Sequence, residues 1–219
     1  ANDTEDRQGI TEIRHVQGYL NYWDELRRRH PNMRSDICSG GGSRNELESR
    51  RRAVPLWHSD YAYETTGMQT LTYGMSFWIP YFGTGINATD SYTFRSQMAP
   101  AIVSVWDLRR RDADYEFKRR MLAEWRKISH HYNGDFYPLT AYRTTNDVWM
   151  AWQFDKPEEV AGVIQAFRRP KSPVVTMNFK LRGLDATRRY SLTNSDLDGE
   201  WQISGGELMG TGLQVTLKQ

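Results

Sequence analysis

Two short segments hold the residues best suited to chemistry. The first is Cys38-Ser39-Gly40-Gly41-Gly42-Ser43-Arg44, a glycine-rich turn at the end of an apolar segment. The second is Trp57-His58-Ser59-Asp60, which puts one carboxylate at the end of another. Glycines let a backbone come close to a ligand and present its N–H groups. A carboxyl group can give up a proton and take one back. Two adjacent strands with such endings read as one side of the mouth of a (β/α) barrel, where barrel enzymes keep their chemistry. One acid there points to glycosidic-bond chemistry, yet that chemistry takes two carboxylates. The residues show no obvious second one.

Each of these residues has a plainer alternative. An aspartate at a strand end is commonly a helix cap. A lone cysteine such as Cys38 often packs as a small hydrophobe. Trp57 either walls a binding site or belongs to the core. His130-His131 falls on or after a helix with no third ligand nearby in sequence, so it reads as a helix C-terminal feature and no metal site is expected. Eight Trp and twelve Tyr are many for so polar a chain. They suit either a carbohydrate site or an aromatic-rich interface between layers.

The elements that must position these residues follow from periodicity. Ile10, Ile13, Val16, Leu20, Trp23 and Leu26 recur at helical steps, which predicts a helix ending near His30-Pro31. A strand is expected over 33–38, a helix over 45–53 and a short strand over 56–59. A helix over 66–73, a strand over 77–82, a buried strand over 101–106 and a long helix through Phe117, Met121, Trp125 and Ile128 come next. Such alternation argues for parallel strands with crossover helices. After Tyr132-Asn133-Gly134-Asp135 the segments become short and alternating, separated by turn residues such as Asp198-Gly199 and Gly205-Gly206. That pattern predicts an antiparallel sheet or small sandwich.

Bulk properties narrow the partners. A formal charge of +2 implies no strong electrostatic partner. The runs Arg27-Arg28-Arg29, Arg50-Arg51-Arg52 and Arg109-Arg110-Arg111 have acids close by, so they read as solvated helix faces and ends; no nucleic-acid partner is expected. No apolar run is long enough to span a membrane, and no membrane partner is expected. The polar, acidic opening carries no secretory signal. Cys38 is the only cysteine, so no internal disulfide forms and the compartment stays open.

At these residues the chain resembles the C-terminal half of glycoside hydrolase family 36, the α-galactosidases of melibiase type. That family shows a Cys-x-Ser-Gly-Gly-(Gly/Arg)-Arg turn, often followed by Asn/Asp-Asp-Leu-Glu. It stands here as Cys38 to Arg44 followed by Asn45-Glu46-Leu47-Glu48. The family's Trp/Arg-x-Ser-Asp element is matched by Trp57-His58-Ser59-Asp60, with 22 residues from Cys38 to Asp60. Asp6 to Glu12, Arg51 to Leu56, Phe167 to Pro170 and Leu181 to Leu184 also fit. Gly40 replaces the usual serine, Ser43 a glycine or arginine, and Tyr63 a second aspartate, which marks a divergent subgroup.

The resemblance implies an α/β fold: the second half of a (β/α)8 TIM barrel in 1–138, then a C-terminal antiparallel β-sandwich in 139–219. It implies a retaining α-galactosidase acting on α-galactoside oligosaccharides without a cofactor. By resemblance, Asp60 is the general acid/base, and Cys38 and Gly41 contact hydroxyls of the sugar beside Trp57. The nucleophile would be an aspartate upstream of the segment matching Asp6 to Glu12. The chain is therefore expected to be a fragment of a longer enzyme, inactive or nearly so alone. An α-N-acetylgalactosaminidase, a transglycosylase relative and a non-catalytic carbohydrate-binding protein are the alternatives. A homo-oligomer stays open.

Overall fold

In the computed structural model, which describes residues 3–60 and 64–218, the predicted first helix is α1, Ile10–Arg29. The Asp3 carboxylate accepts from the N–H groups of Gly9 and Thr11 at its start. Its last turn holds Arg27, Arg28 and Arg29, cations that complement the negative end of a helix. Glu25 pairs with Arg28 and Arg29 at 2.7 and 2.6 Å. No residue of α1 is buried, and Ile13 in its apolar stripe is 56% exposed.

The strand expected over 33–38 shrinks to one bridge residue, Asp36, parallel to Val54, and no strand forms over 56–59. Val54 N–H donates to Ser35 O and Ile37 N–H to Val54 O, at 3.0 and 2.9 Å. Leu56 N–H then donates to the Asp36 side chain rather than to a backbone carbonyl. The extended runs are short because Gly40, Gly41 and Gly42 all turn to positive φ and Pro55 lacks a donor. The helix expected over 45–53 contracts to α2, Leu47–Arg50, capped by the Glu46 carboxylate through Glu48 N–H and Ser49 N–H. Arg52 grips Asp24 at 2.7 Å and Glu48 at 2.7 Å, fastening α1 to this segment. Residues 1–60 form one compact unit and 61–219 another.

In the second unit, α3 (Thr65–Met75) is capped by Glu64, whose carboxylate accepts from Thr66 N–H and Gly67 N–H. The strand expected over 77–82 is a correction. Residues 76–81 form a turn, and the strand β1 is Gly83–Ile86, buried at every position. Pro80 cannot donate to a ladder, and Phe77, Trp78 and Tyr81 lie exposed on the turn. The unforeseen six-residue helix α4 (Ser91–Ser96) joins β1 to the parallel strand β2 (Ala101–Ser104). The long helix α5, Tyr115–Ile128, starts at an Asp114 cap and buries Phe117 and Met121.

Antiparallel pairing then takes over. β3 (Asp135–Pro138), β4 (Trp149–Lys156) and β5 (Ala161–Arg168) form a sheet in that order. Next come β6 (Thr176–Phe179), β7 (Arg189–Asn194), β8 (Leu197–Ser204), the short helix α6 (Gly205–Gly210) and β9 (Leu213–Thr216). β6 pairs with β9 and β7 with β8. Ser204 and Glu207 close a capping box at the start of α6.

Alternation along β4 positions two cores. Met150, Trp152 and Phe154 pack with Tyr73, Phe94, Phe117 and Met121 from the helices. Trp149 and Ala151 pack on the other face with Phe179, Leu181 and Leu208. The helical segment and the sheets thus share β4. Arg169, fully buried, adds a polar tie. It donates to Gln69, Thr70 Oγ1 and the carbonyls of Thr66, Arg143 and Thr145. Among the described residues, no helix is long and apolar enough to cross a membrane.

Candidate active site

The parallel bridge between Asp36 and Val54 brings the two sequence motifs side by side, since each follows one of the bridged segments. Gly40, Gly41 and Gly42 have φ of 54°, 69° and 94°, a left-handed run that side chains resist. Gly41 faces the acid. A Cβ built there would lie 2.9 Å from Asp60 Oδ2, so only glycine admits the carboxylate at this distance. Gly42 packs as closely on the next chain, with a Cβ position 3.0 Å from His58 O.

Side chains lock this contact. Asn45 Nδ2 donates to His58 O at 2.8 Å, crossing from the end of the glycine turn to the Ser-Asp segment. Ser43 Oγ donates back to Gly40 O at 2.9 Å, and Arg50 Nη2 donates to Arg44 O at 3.0 Å. The half-buried Trp57 donates its indole N–H to Asp60 Oδ1 at 3.0 Å. One carboxylate oxygen is therefore held by an indole and the other lies against a bare Cα. Asp60 is exposed, and so is the Cys38 thiol at the start of the turn.

The four residues singled out from sequence, Cys38, Gly41, Trp57 and Asp60, lie in one unit, and the structure joins Gly41 and Trp57 directly to Asp60. Helix capping, the plain alternative for Asp60, falls instead to Glu64 at α3. Cys38 is exposed rather than packed as a small hydrophobe. Trp57, expected as wall or core, is half-buried and donates to the Asp60 carboxylate. Asn45 and Asp36 were missed. Asn45 stands in the tail of the glycine motif, a signal that it belonged to the same construction; nothing in the spacing marked Asp36. Tyr63 lies outside the described residues.

Elsewhere, a cleft of about 360 Å³ is lined by Phe77, Trp78, Ile79, Pro100, Phe136 and Phe154 among others, and by none of the four residues. His130 and His131 gain a neighbour that sequence spacing did not reveal: Glu159 from the β4–β5 turn. The arginine runs are engaged with nearby acids, among them Arg51 with Glu48, Arg109 with Asp107 and Arg110 with Asp112.

Residues 146–219 match the glycosyl hydrolase family 36 C-terminal domain. The chain is 26% identical to α-galactosidase Mel36A of Lactobacillus acidophilus, over 94% of this chain and 29% of that protein. It is 24% identical to α-galactosidase 1 of Pediococcus pentosaceus, again over 94% of this chain and 29% of the relative. The chain thus spans less than a third of these relatives' length. Among solved structures, the family 36 α-galactosidase AgaA of Geobacillus stearothermophilus superposes with a TM-score of 0.80 at 21% identity, covering 99% of this chain and 31% of that one. A variant of AgaA in complex with raffinose gives 0.78 at 19% identity, over 100% and 32%. With its 146–219 segment matching that family's C-terminal domain and nearly its whole length aligning with α-galactosidases, this chain is similar to the members of glycoside hydrolase family 36.

Proposed function

We propose that this chain is the part of a retaining α-galactosidase that carries the general acid/base, Asp60. The observation behind the proposal is the Asp60 carboxylate seated between the Trp57 indole and the glycine turn. Asp60 would protonate the departing glycosidic oxygen and then take a proton from the attacking water. Backbone N–H groups around Gly41 and the Cys38 thiol would bind sugar hydroxyls, with Trp57 orienting the acid rather than stacking on substrate. In this reading residues 1–138 belong to the second half of a (β/α)8 barrel and residues 139–219 to the sandwich.

Retention requires a second carboxylate as nucleophile, about 5–5.5 Å from the first. We place it in a segment of the enzyme outside these 219 residues. The substrates would be oligosaccharides ending in α-galactose. Relatives of this fold have been crystallised with raffinose and stachyose, which supports that class.

The test is Asp60→Asn in the full enzyme. Hydrolysis of a natural α-galactoside should collapse, while an activated aryl α-galactoside, whose leaving group needs no proton, should still form the covalent intermediate. Azide needs no general base, so it should rescue turnover and yield α-galactosyl azide. Undiminished hydrolysis of raffinose by this variant would remove Asp60 from the mechanism. Azide product of inverted configuration would make Asp60 the nucleophile instead.

A further inference from the structure

We propose that His130, His131 and Glu159 form a binding site for a divalent transition-metal ion, of which Zn²⁺ is the best fit. One ligand atom from each of the three lies within 4.8 Å of the others. His130 Nε2 is 3.7 Å from Glu159 Oε2, and the two imidazole centroids are 3.8 Å apart. Around a tetrahedral ion with bonds of about 2.0–2.1 Å, neighbouring ligands stand roughly 3.3–3.5 Å apart. Small side-chain rotations close that gap.

The donor set fits this class. Two imidazoles and one carboxylate suit zinc and its neighbours, whereas calcium and magnesium take oxygen ligands. The carboxylate opposes an anion at this place. His131 supplies the second observation: its Nδ1 is buried and has no hydrogen-bond partner among the described residues. A buried polar atom left so asks for an explanation, and an ion is one.

The scaffold is rigid on both sides. His130 and His131 sit on the 3₁₀ turn Ser129–Asn133, whose Tyr132 is fully buried and donates to Gln165 on β5. Gly134, just beyond, presses on Asp155 O so closely that a Cβ would reach 2.2 Å. Glu159 sits in the β4–β5 turn, with its N–H bonded to Lys156 O at 2.9 Å. Lys156 is the competitor. Its ammonium holds Glu159 Oε1, and Oε2 is the oxygen turned toward His130. Three protein ligands leave room for water in the remaining position. Such an ion would clamp the 3₁₀ turn to the β4–β5 turn and stabilise the fold in proportion to its occupancy.

The test is calorimetric titration of the full-length protein with Zn²⁺ at pH 7.5, with Tm read in parallel. We expect one ion per chain and a rise in Tm. His130→Asn and Glu159→Gln should each weaken binding about tenfold or more. Lys156→Met should tighten it by freeing the second carboxylate oxygen, an effect no purely structural role of the cluster would produce. Cys38→Ser should leave it unchanged. No saturable binding, or binding that survives His130→Asn and Glu159→Gln together in a folded protein, would overturn the proposal.

Discussion

The two oxygens of the Asp60 carboxylate meet different surroundings. Trp57 donates to one oxygen, and Gly41 leaves space at the other. Replacing Trp57 by Phe keeps the ring and deletes the N–H. Loss of that hold lets the carboxyl group shift, and misplacement of a reacting group costs rate rather than binding, so kcat on a natural α-galactoside should fall about tenfold or more with KM little changed. A Trp57→Phe enzyme with unaltered kcat would deny the indole its positioning role. Gly41→Ala meets two obstacles at once, a φ of 69° and a Cβ 2.9 Å from Asp60 Oδ2. The carboxylate must move, and displacements near 1 Å cost about 10²-fold in rate. Steady-state kinetics on raffinose would read that loss. Retention of full activity would show that the close approach is incidental.

At the scale of elements, β4 carries the molecule's second unit because both its faces are covered. It also carries a liability. Asp155, 4% exposed, stands opposite Asp135 across the β3–β4 ladder. Burial, and after it the Asp135 carboxylate, pushes the Asp155 carboxyl above its usual range. A group whose pKa is raised by folding binds protons more tightly folded than unfolded. It therefore supports folding at low pH and loses that support as pH rises through the folded pKa. Asp155→Asn should raise Tm at pH 7, and the gain should vanish near about pH 3, where the native carboxyl is itself neutral. Melting curves at the two pH values check both halves; a gain at pH 3 alone would reverse the sign. Arg169 is the opposite case, a buried cation whose acceptors are all neutral. A lysine has three donors on one point and cannot span them. Arg169→Lys should lower stability by about 3 kcal/mol, since each buried group left unpaired costs about 1–3 kcal/mol. Urea denaturation would show it as a drop in midpoint, and an unchanged midpoint would mean water replaces the lost bonds.

At the scale of the whole molecule, the chain holds one proposed catalytic carboxylate where retention needs two. We expect the isolated 219-residue chain to show no measurable hydrolysis of an α-galactoside. Turnover by the isolated chain would place both carboxylates within it, and the nucleophile would then have to be sought among the acids described here.

Local sequence determined much. Period-3.6 patterning marked α1 and α5, and short segments separated by turn residues marked the strands after residue 148. Three successive glycines before Arg44 marked a turn that only they can make. The short run Phe77 to Phe82 misled, since an apolar run does not say whether a partner covers it. Six-residue α4 has too few turns for a periodic signal. Tertiary structure alone decided what meets what: the Trp57 indole on Asp60, the bare Gly41 Cα against the same acid, Glu159 beside His130 and His131, and Arg169 reaching back about a hundred residues to Gln69. Distance along the chain carries no energy. These contacts exist because packing brings remote backbone into reach, and directional groups then settle the geometry.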